Sequence, residues 1–220
     1  MIAILSPAKR MDVRGAKANY TLPQFLPQAE ELMNKLKTLK SVQLQKLMDI
    51  SKKLADLNVE RNFNFNIDHN NTNSTQSIFS YKGDVYVGLE AETFDNSDIE
   101  FAQNHLRILS GLYGIIRPLD LIQEYRLEMG TKLKIGRKKD LYNYWGNLLT
   151  ENINNSLSES NSELLINLAS DEYYKALDEK KIKGEILKIQ FREYQGDKLK
   201  FISFNTKKSK RCNGKVYNKK

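Results

Sequence analysis

The chain has 220 residues, of which 40% are hydrophobic, and a single cysteine. This length and composition exclude a disordered protein and allow one large domain or two small ones. No apolar run approaches the ~20 residues of a membrane helix, and one cysteine excludes an internal disulfide framework and fits a reducing cytoplasm. The only histidines, His69 and His105, are isolated, so we expect a cytoplasmic globular protein without a zinc site.

The net charge of +8 is unevenly distributed. Residues 206–220 hold seven of the 35 Lys and Arg residues and none of the 27 acids, so the preceding chain has 28 basic and 27 acidic residues. The overall charge is therefore weak evidence for nucleic-acid binding, because it belongs mostly to the tail.

The first third of the chain predicts one strand followed by helices. Residues 2–5 (IAIL) predict a buried strand whose end presents Lys9. Apolar residues recur at helical spacing over residues 22–39 and again over 44–57, with Ser51 as a break or N-cap between two helices.

The next segment begins with a polar, Asn-rich loop at residues 66–77, in which His69 is expected to be solvated. Residues 85–87 favour a strand or an irregular buried segment. Residues 97–100 have the spacing of a capping box, which predicts a helix that runs toward Leu109.

The last third predicts a helix at residues 139–156 and a strand at 163–168. Residues 184–194 and 198–204 are expected to pair around a turn at 195–197. Strands interspersed with helices are typical of an α/β or α+β fold, and we predict an α/β fold with a mixed sheet surrounded by helices.

The stretch from His105 to Gly130 is unusual because it is apolar yet rich in glycine and arginine. Two helices joined by the turn LSGLYGIIRP, with Pro118 starting the second, match a helix-hairpin-helix, a module that offers backbone N–H groups to DNA phosphates. Gly111 and Gly114 would permit close approach of the backbone. The charged or phosphate-binding side chains would be Arg107, Tyr113, Arg117 and Arg126.

An alternative explains the same residues without a ligand. In it the stretch is a tight buried turn between helices, and its arginines pair with Asp120, Glu124 or Glu128. The residues alone leave the two interpretations equally weighted.

Lys9 follows the first strand, where α/β folds usually place ligand groups, so it is a candidate to bind phosphate or to act as a base. The alternative is an ordinary solvated lysine. Asp84, Asp171 and Glu172 are candidate acids, but no spacing pairs them, and the sequence has no Walker loop, dinucleotide fingerprint, nucleophile elbow or HExxH motif. Any catalytic site must be assembled by the fold, and no cofactor is predicted.

Several segments together resemble the YaaA family of peroxide-stress proteins, in order from Met1 to about Lys208. They are SPAK (6–9), YKGDVYVGL (81–89), FAQNHLRILSGLYGIIRPLDLI (101–122), YRLEMG (125–130), LYNYWG (141–146) and NLASDEYYKAL (167–177). The long central block makes the resemblance specific.

The resemblance implies a cytoplasmic bacterial protein that binds DNA without strong sequence preference and limits iron-driven damage. It also implies a helix-hairpin-helix and a basic cleft, for which Lys9, Arg107, Gly111, Gly114, Arg117 and Arg126 are the candidates by match. The rival hypothesis is an enzyme that acts on a small anionic metabolite in a pocket of Lys9, Asp84 and arginines.

The chain departs from the family pattern at its end. Where relatives continue with a sequence such as KKARGxMARYII, this chain reads KKSKRCNGKVYNKK. A one-base shift in a run of A near Lys207–Ser209 converts one text into the other, so we predict one domain over residues 1–208 and an out-of-frame tail over 209–220. The gene sequence across these codons tests this prediction.

Overall fold

The computed structural model describes residues 1–189 and two further strands, β8 and β9. In chain order the elements are β1 (Ile2–Leu5), α1 (Leu26–Lys37), α2 (Ser41–Met48), α3 (Lys52–Asn64), β2 (Thr75–Gln76), α4 (Ser77–Ser80), α5 (Asp84–Leu89), α6 (Asn96–His105), β3 (Leu106–Ser110), β4 (Gly114–Ile116), β5 (Leu121–Ile122), α7 (Leu141–Trp145), α8 (Leu148–Glu159), β6 (Leu164–Asn167), α9 (Asp171–Tyr174), β7 (Glu185–Lys188), β8 (Arg192–Gln195) and β9 (Lys198–Phe201). Short 3-10 turns lie at Ala91–Thr93 and Glu179–Lys181.

A mixed sheet with the strand order β4-β3-β1-β6-β7 lies at the centre of the fold. β1 is parallel to β3 and β6, β7 is parallel to β6, and β4 is antiparallel to β3. The predicted α/β class with a mixed sheet and surrounding helices is confirmed.

β1 is central and buried, as its apolar run predicts. Ile2 and Ile4 have no exposed surface, since a parallel strand inside an α/β sheet is covered on both faces. Ala3 and Ile4 pair with Ile166 and Asn167 of β6, so the carboxyl ends of β1 and β6 meet at the same edge.

The predicted helices of the first third are confirmed with adjusted bounds. α1 buries Leu32, Met33 and Leu36, which follow the predicted apolar stripe. Ser51 is the N-cap of α3, and its hydroxyl accepts a hydrogen bond from the Leu54 N–H at 3.3 Å.

Three local predictions are wrong. Residues 85–87 lie in helix α5 and not in a strand. α6 is capped by Asp95, whose carboxylate accepts from the Ser97 and Asp98 N–H groups, and it ends at His105. The helix expected at 139–156 is two helices, separated at Gly146, where φ is +50°.

The helix-hairpin-helix prediction is also wrong. Leu106–Ser110 and Gly114–Ile116 are the antiparallel strands β3 and β4, joined by a tight turn, and Pro118 lies in a turn before β5. The continuous apolar run does not distinguish the two structures, because a strand buried on both faces has the same pattern as a buried helix. This segment forms strand β3 because it lies at the buried centre of the sheet, paired with β1 and β4.

The end of the chain is described only in part. β8 and β9 pair antiparallel, with Gln195 opposite Lys198, as expected on either side of residues 195–197. The single strand expected at 184–194 is wrong, because the segment contains two strands, β7 beside β6 and β8 beside β9. The predicted out-of-frame tail, residues 209–220, lies outside the described residues.

Candidate functional site

The two glycines of the β3–β4 turn serve packing. A Cβ at Gly111 would lie 2.1 Å from the carbonyl oxygen of Leu127, and a Cβ at Gly114 would lie 2.8 Å from the Trp145 ring. Gly114 also has φ +72°, which L side chains rarely adopt. Both positions therefore need glycine so that the hairpin can pack, and neither backbone is placed to approach a ligand.

Tyr113 is fully buried in the same turn. Its hydroxyl accepts a hydrogen bond from the Gln123 N–H at 3.1 Å and lies 2.9 Å from Nε2 of His69. Tyr113 therefore cannot contact a phosphate. His69, expected to be solvated, is only 7% exposed.

Arg107, the second residue of β3, is buried, at 7% exposure. Its guanidinium donates to the Gln103 and Leu106 carbonyls at 3.0 and 2.8 Å and to the Ser156 hydroxyl at 3.1 Å. Burial lowers its pKa from the usual value, with a smaller contribution from the charge of Arg117. Arg107 thus binds internal oxygens and is not a contact for an external anion.

Arg117 pairs with Asp120, as the ligand-free alternative predicts. Its guanidinium lies 3.0 Å from the carboxylate, which also accepts from the Arg117 N–H at 2.8 Å and from the Thr21 hydroxyl at 2.6 Å. Burial raises the pKa of Asp120, although these partners oppose the shift. This group ties the turn after β4 to the segment that precedes α1.

Lys9 and Arg126 line a different feature, a cleft of about 440 Å³ at the carboxyl ends of β1 and β6. The two strand ends are joined there by Ser6, whose hydroxyl accepts from the Ser170 N–H at 2.9 Å and lies 3.1 Å from the Ser170 hydroxyl. Asp84, named in the enzyme hypothesis, lines the same cleft.

Lys9, Glu128 and Arg126 form an ion triad in the wall of the cleft. One carboxylate oxygen of Glu128 lies 2.9 Å from Nζ of Lys9, and the other lies 2.9 Å from Nη2 of Arg126. Nε of Arg126 is buried and has no hydrogen-bond partner among the described residues. The Lys9 side chain is 64% exposed, so this end of the triad faces solvent.

The sequence interpretation missed the other cleft residues. Arg10 and Lys82 add two cations to the wall, and Tyr86 and Tyr125 contribute aromatic surface. The Tyr86 hydroxyl donates to the Ser6 carbonyl at 2.9 Å, which fixes α5 against the end of β1.

A second cavity of about 430 Å³ shares Lys82 with the cleft and is lined by Arg14 and Lys17. The segment that leads to it, residues 9–17 (KRMDVRGAK), holds four basic residues and one acid. This local excess in a body of nearly neutral charge is the signal that could have located the surface.

Among the described residues, no three His, Cys, Asp or Glu side chains are grouped so that they could hold a metal ion. In the same part of the chain, no helix is both long and apolar enough to span a membrane.

Comparison with protein families places this geometry in context. Residues 1–216 match the family model described as peroxide stress protein YaaA, which covers nearly the whole chain and includes the cleft, the hairpin and the segment 9–17. The chain therefore belongs to the YaaA family of peroxide stress proteins.

Proposed function

We propose that this peroxide-stress protein binds DNA through the phosphate backbone, largely without sequence specificity. The contact surface would be the cleft and its neighbouring cavity, and the β3–β4 hairpin would take no part. We name five of the basic side chains that line this surface the basic rim; they are Lys9, Arg10, Arg14, Lys17 and Lys82, whereas Arg126 is mostly buried, at 15% side-chain exposure.

The observation that carries the proposal is the continuity of the basic rim. Lys82 lines both cavities, and its N–H donates to the Arg10 carbonyl at 2.9 Å, so the cleft cations adjoin those of the second cavity. Exposed cations along one surface are the footprint of phosphate binding, which reads little sequence.

Three of the rim cations, Lys9, Arg14 and Lys17, have carboxylate partners that a phosphate can replace. Arg14 pairs with Asp12 and Lys17 with Glu92, both at 2.5 Å, and their side chains are 82% and 55% exposed. Exposed ion pairs contribute only ~0–1 kcal/mol, so exchanging a carboxylate for a DNA phosphate costs little. Arg107, held by buried carbonyls, offers no such exchange.

The role in the cell follows from this contact. A protein bound along the DNA backbone in the cytoplasm of a cell under peroxide stress would limit peroxide-driven and iron-driven damage to that DNA. Binding should weaken steeply with salt, because released counterions supply much of the driving force.

The test is fluorescence anisotropy of a labelled duplex over a salt series. Reversing Arg10, Arg14 and Lys17 to Glu should lower affinity at least ~tenfold and reduce the slope of log K against log salt by ~0.9 for each lost phosphate contact. The matched control reverses three exposed lysines that line neither cavity, Lys46, Lys52 and Lys53. Both variants keep the basic tail, so equal losses would refute binding through the rim.

A small anionic metabolite is the second candidate ligand. Lys9, Asp84 and Arg126, which the sequence suggested for such a pocket, line one cleft, and its volume lies within the range typical of ligand sites. A selective thermal shift with one metabolite, removed by Asp84→Asn while duplex affinity is unchanged, would favour this candidate over DNA.

A further inference from the structure

Four buried tyrosines form a continuous cluster from the cleft into the protein interior. They are Tyr86, Tyr81, Tyr125 and Tyr113, none of which is more than 6% exposed. Tyr86 and Tyr125 line the cleft, whereas Tyr113 lies at the opposite end against His69. The cluster thus connects a surface open to small molecules with a buried imidazole.

Each step in the cluster is a short contact. The ring centroids of Tyr86 and Tyr81 lie 5.2 Å apart, and the hydroxyls of Tyr81 and Tyr125 are hydrogen-bonded at 2.8 Å. The ring centroids of Tyr125 and Tyr113 then lie 5.4 Å apart, edge to face. Aromatic rings and phenols at these separations are in van der Waals or hydrogen-bond contact throughout, with no gap along the path.

The hydrogen bonds at His69 determine where the Tyr113 proton points. Nδ1 of His69 lies 3.0 Å from the Ile67 carbonyl oxygen, which only accepts, so Nδ1 carries the hydrogen of the neutral ring. The Gln123 side-chain nitrogen is farther from Nδ1, at 3.4 Å, and donates to the Asn66 carbonyl at 2.8 Å. Nε2 therefore has a free lone pair, and the Tyr113 hydroxyl donates to it.

The surroundings favour a neutral His69 beside a protonated Tyr113, and they also favour the imidazolium that would form if the Tyr113 proton moved to His69. Burial lowers the pKa of His69, so the ring is neutral near pH 7 and its Nε2 lone pair is available to accept a proton. Burial raises the pKa of Tyr113, so the phenol keeps its proton until an electron is removed. The Ile67 and Asn66 carbonyls and the Asp68 charge favour the protonated imidazole once it forms.

We propose that Tyr113 and His69 are a redox-active pair that receives oxidising equivalents from the cleft through the tyrosine cluster. A peroxide-derived one-electron oxidant, such as a hydroxyl radical that becomes hydroxide, removes one electron from Tyr125 or Tyr86. An electron from Tyr113 refills that position, and the Tyr113 phenolic proton moves to Nε2 of His69. The products are a neutral Tyr113 radical and an imidazolium. In the return step a thiolate gives one electron to the Tyr113 radical and becomes a thiyl radical, and the proton returns from Nε2 of His69 to the Tyr113 oxygen.

This activity would supplement the proposed DNA contact, because the cluster opens where the DNA backbone would lie. An oxidant formed there would be reduced by the protein before it reaches a base. The pair itself does not depend on DNA, so it can be tested on the free protein, and a failure of DNA binding would leave the result standing.

The experiment is one-electron oxidation of the full-length protein by a flash-generated ruthenium(III) polypyridyl complex, followed by freeze-trapping and electron paramagnetic resonance. The wild type should give a neutral tyrosyl radical, and Tyr113→Phe should lower its yield at least ~tenfold because the positioned proton acceptor no longer has a donor. Tyr20→Phe, which removes an exposed tyrosine at 46% exposure, should leave the yield unchanged.

His69→Gln provides the second measurement, because it keeps Tyr113 and removes the basic nitrogen. Its radical yield should also fall at least ~tenfold. If Tyr113→Phe does not fold, this variant decides the matter alone. A wild-type yield of tyrosyl radical in folded Tyr113→Phe, or in His69→Gln, would overturn the proposal and assign the cluster a purely structural role.

Discussion

The β3–β4 hairpin and the strand-end cleft contain similar residues, arginines and tyrosines beside close-packed turns, but they use them differently. In the hairpin region, Arg107 binds two backbone carbonyls and a serine hydroxyl inside the protein. In the cleft, Lys9 pairs with Glu128 and remains 64% exposed. A cation bound to buried carbonyls serves the fold, whereas a cation bound to a solvated carboxylate is available to a ligand.

The difference follows from the strand order. β3 is an interior strand, covered by β1 on one side and β4 on the other, so its turn is packed against Leu127 and Trp145. β1 and β6 instead end side by side, and the next strand of the sheet lies on the β3 side for β1 and on the β7 side for β6, so the cleft lies where the strand order diverges. This is the position at which open α/β sheets bind ligands.

The largest expected change in stability, and the strongest test of this contrast between hairpin and cleft, is at Gly111. If the hairpin is packed as described, Gly111→Ala should lower the free energy of unfolding by about 4 kcal/mol or prevent folding. The new Cβ would lie 2.1 Å from the carbonyl oxygen of Leu127. This oxygen belongs to the main chain, so it cannot move aside as the end of a flexible side chain could. Urea unfolding followed by circular dichroism measures the change.

Gly88→Ala is the matched control for Gly111→Ala. Gly88 lies in α5 with no atom within 4 Å of the added Cβ, so the substitution should leave stability unchanged or raise it by up to ~1 kcal/mol. Equal stability of the two variants would contradict a packed hairpin and reopen the possibility that Gly111 faces a ligand.

Removing one cation from each region sharpens the comparison. Arg107→Gln should cost about 2–3 kcal/mol, because buried carbonyl oxygens lose their donors. Lys9→Gln should cost less than ~0.5 kcal/mol, because the ion pair is exposed and Arg126 still holds Glu128.

Thermal unfolding of the two variants beside the wild type measures both changes. A larger loss for Lys9→Gln than for Arg107→Gln would show that the cleft triad, and not the β3 arginine, is the structural ion cluster. That result would also count against the basic rim as a ligand surface.

The sequence predicted elements whose signals are local. The buried strand β1, the amphipathic helix α1 and the N-cap Ser51 all follow from residues within a few positions of one another. The ligand-free alternative for the central stretch was also informative, since Arg117 pairs with Asp120 and Arg126 with Glu128 as that alternative predicts.

The cleft could not be predicted in the same way because it depends on distant pairing. Ser6 and Ser170 meet only because β6 lies beside β1, and no pattern in either segment specifies that neighbour. His69 illustrates the same limit. The loop expected at 66–77 is confirmed over 66–74, while 75–77 belong to β2 and α4, and contact with Tyr113 buries the His69 ring. Local polarity predicts the type of segment, and tertiary contact determines which side chain is covered.

The smallest effect concerns the pH dependence that His69 gives the hairpin region. Burial lowers the pKa of His69 in the folded protein below the ordinary 6.5, so the unfolded chain binds more protons than the folded one just below that pH. Its contribution to stability is therefore complete above pH 6.5 and is lost as pH falls toward the lowered folded value. Unfolding free energies measured from pH 5 to 8 should rise with pH in the wild type and rise less in His69→Gln. The difference between the two curves is the contribution of His69, because buried acids such as Asp120 are present in both proteins. Parallel curves would mean that His69 titrates normally and that the loop at residues 66–74 is open, which would remove the structural contrast between the packed hairpin and the exposed cleft.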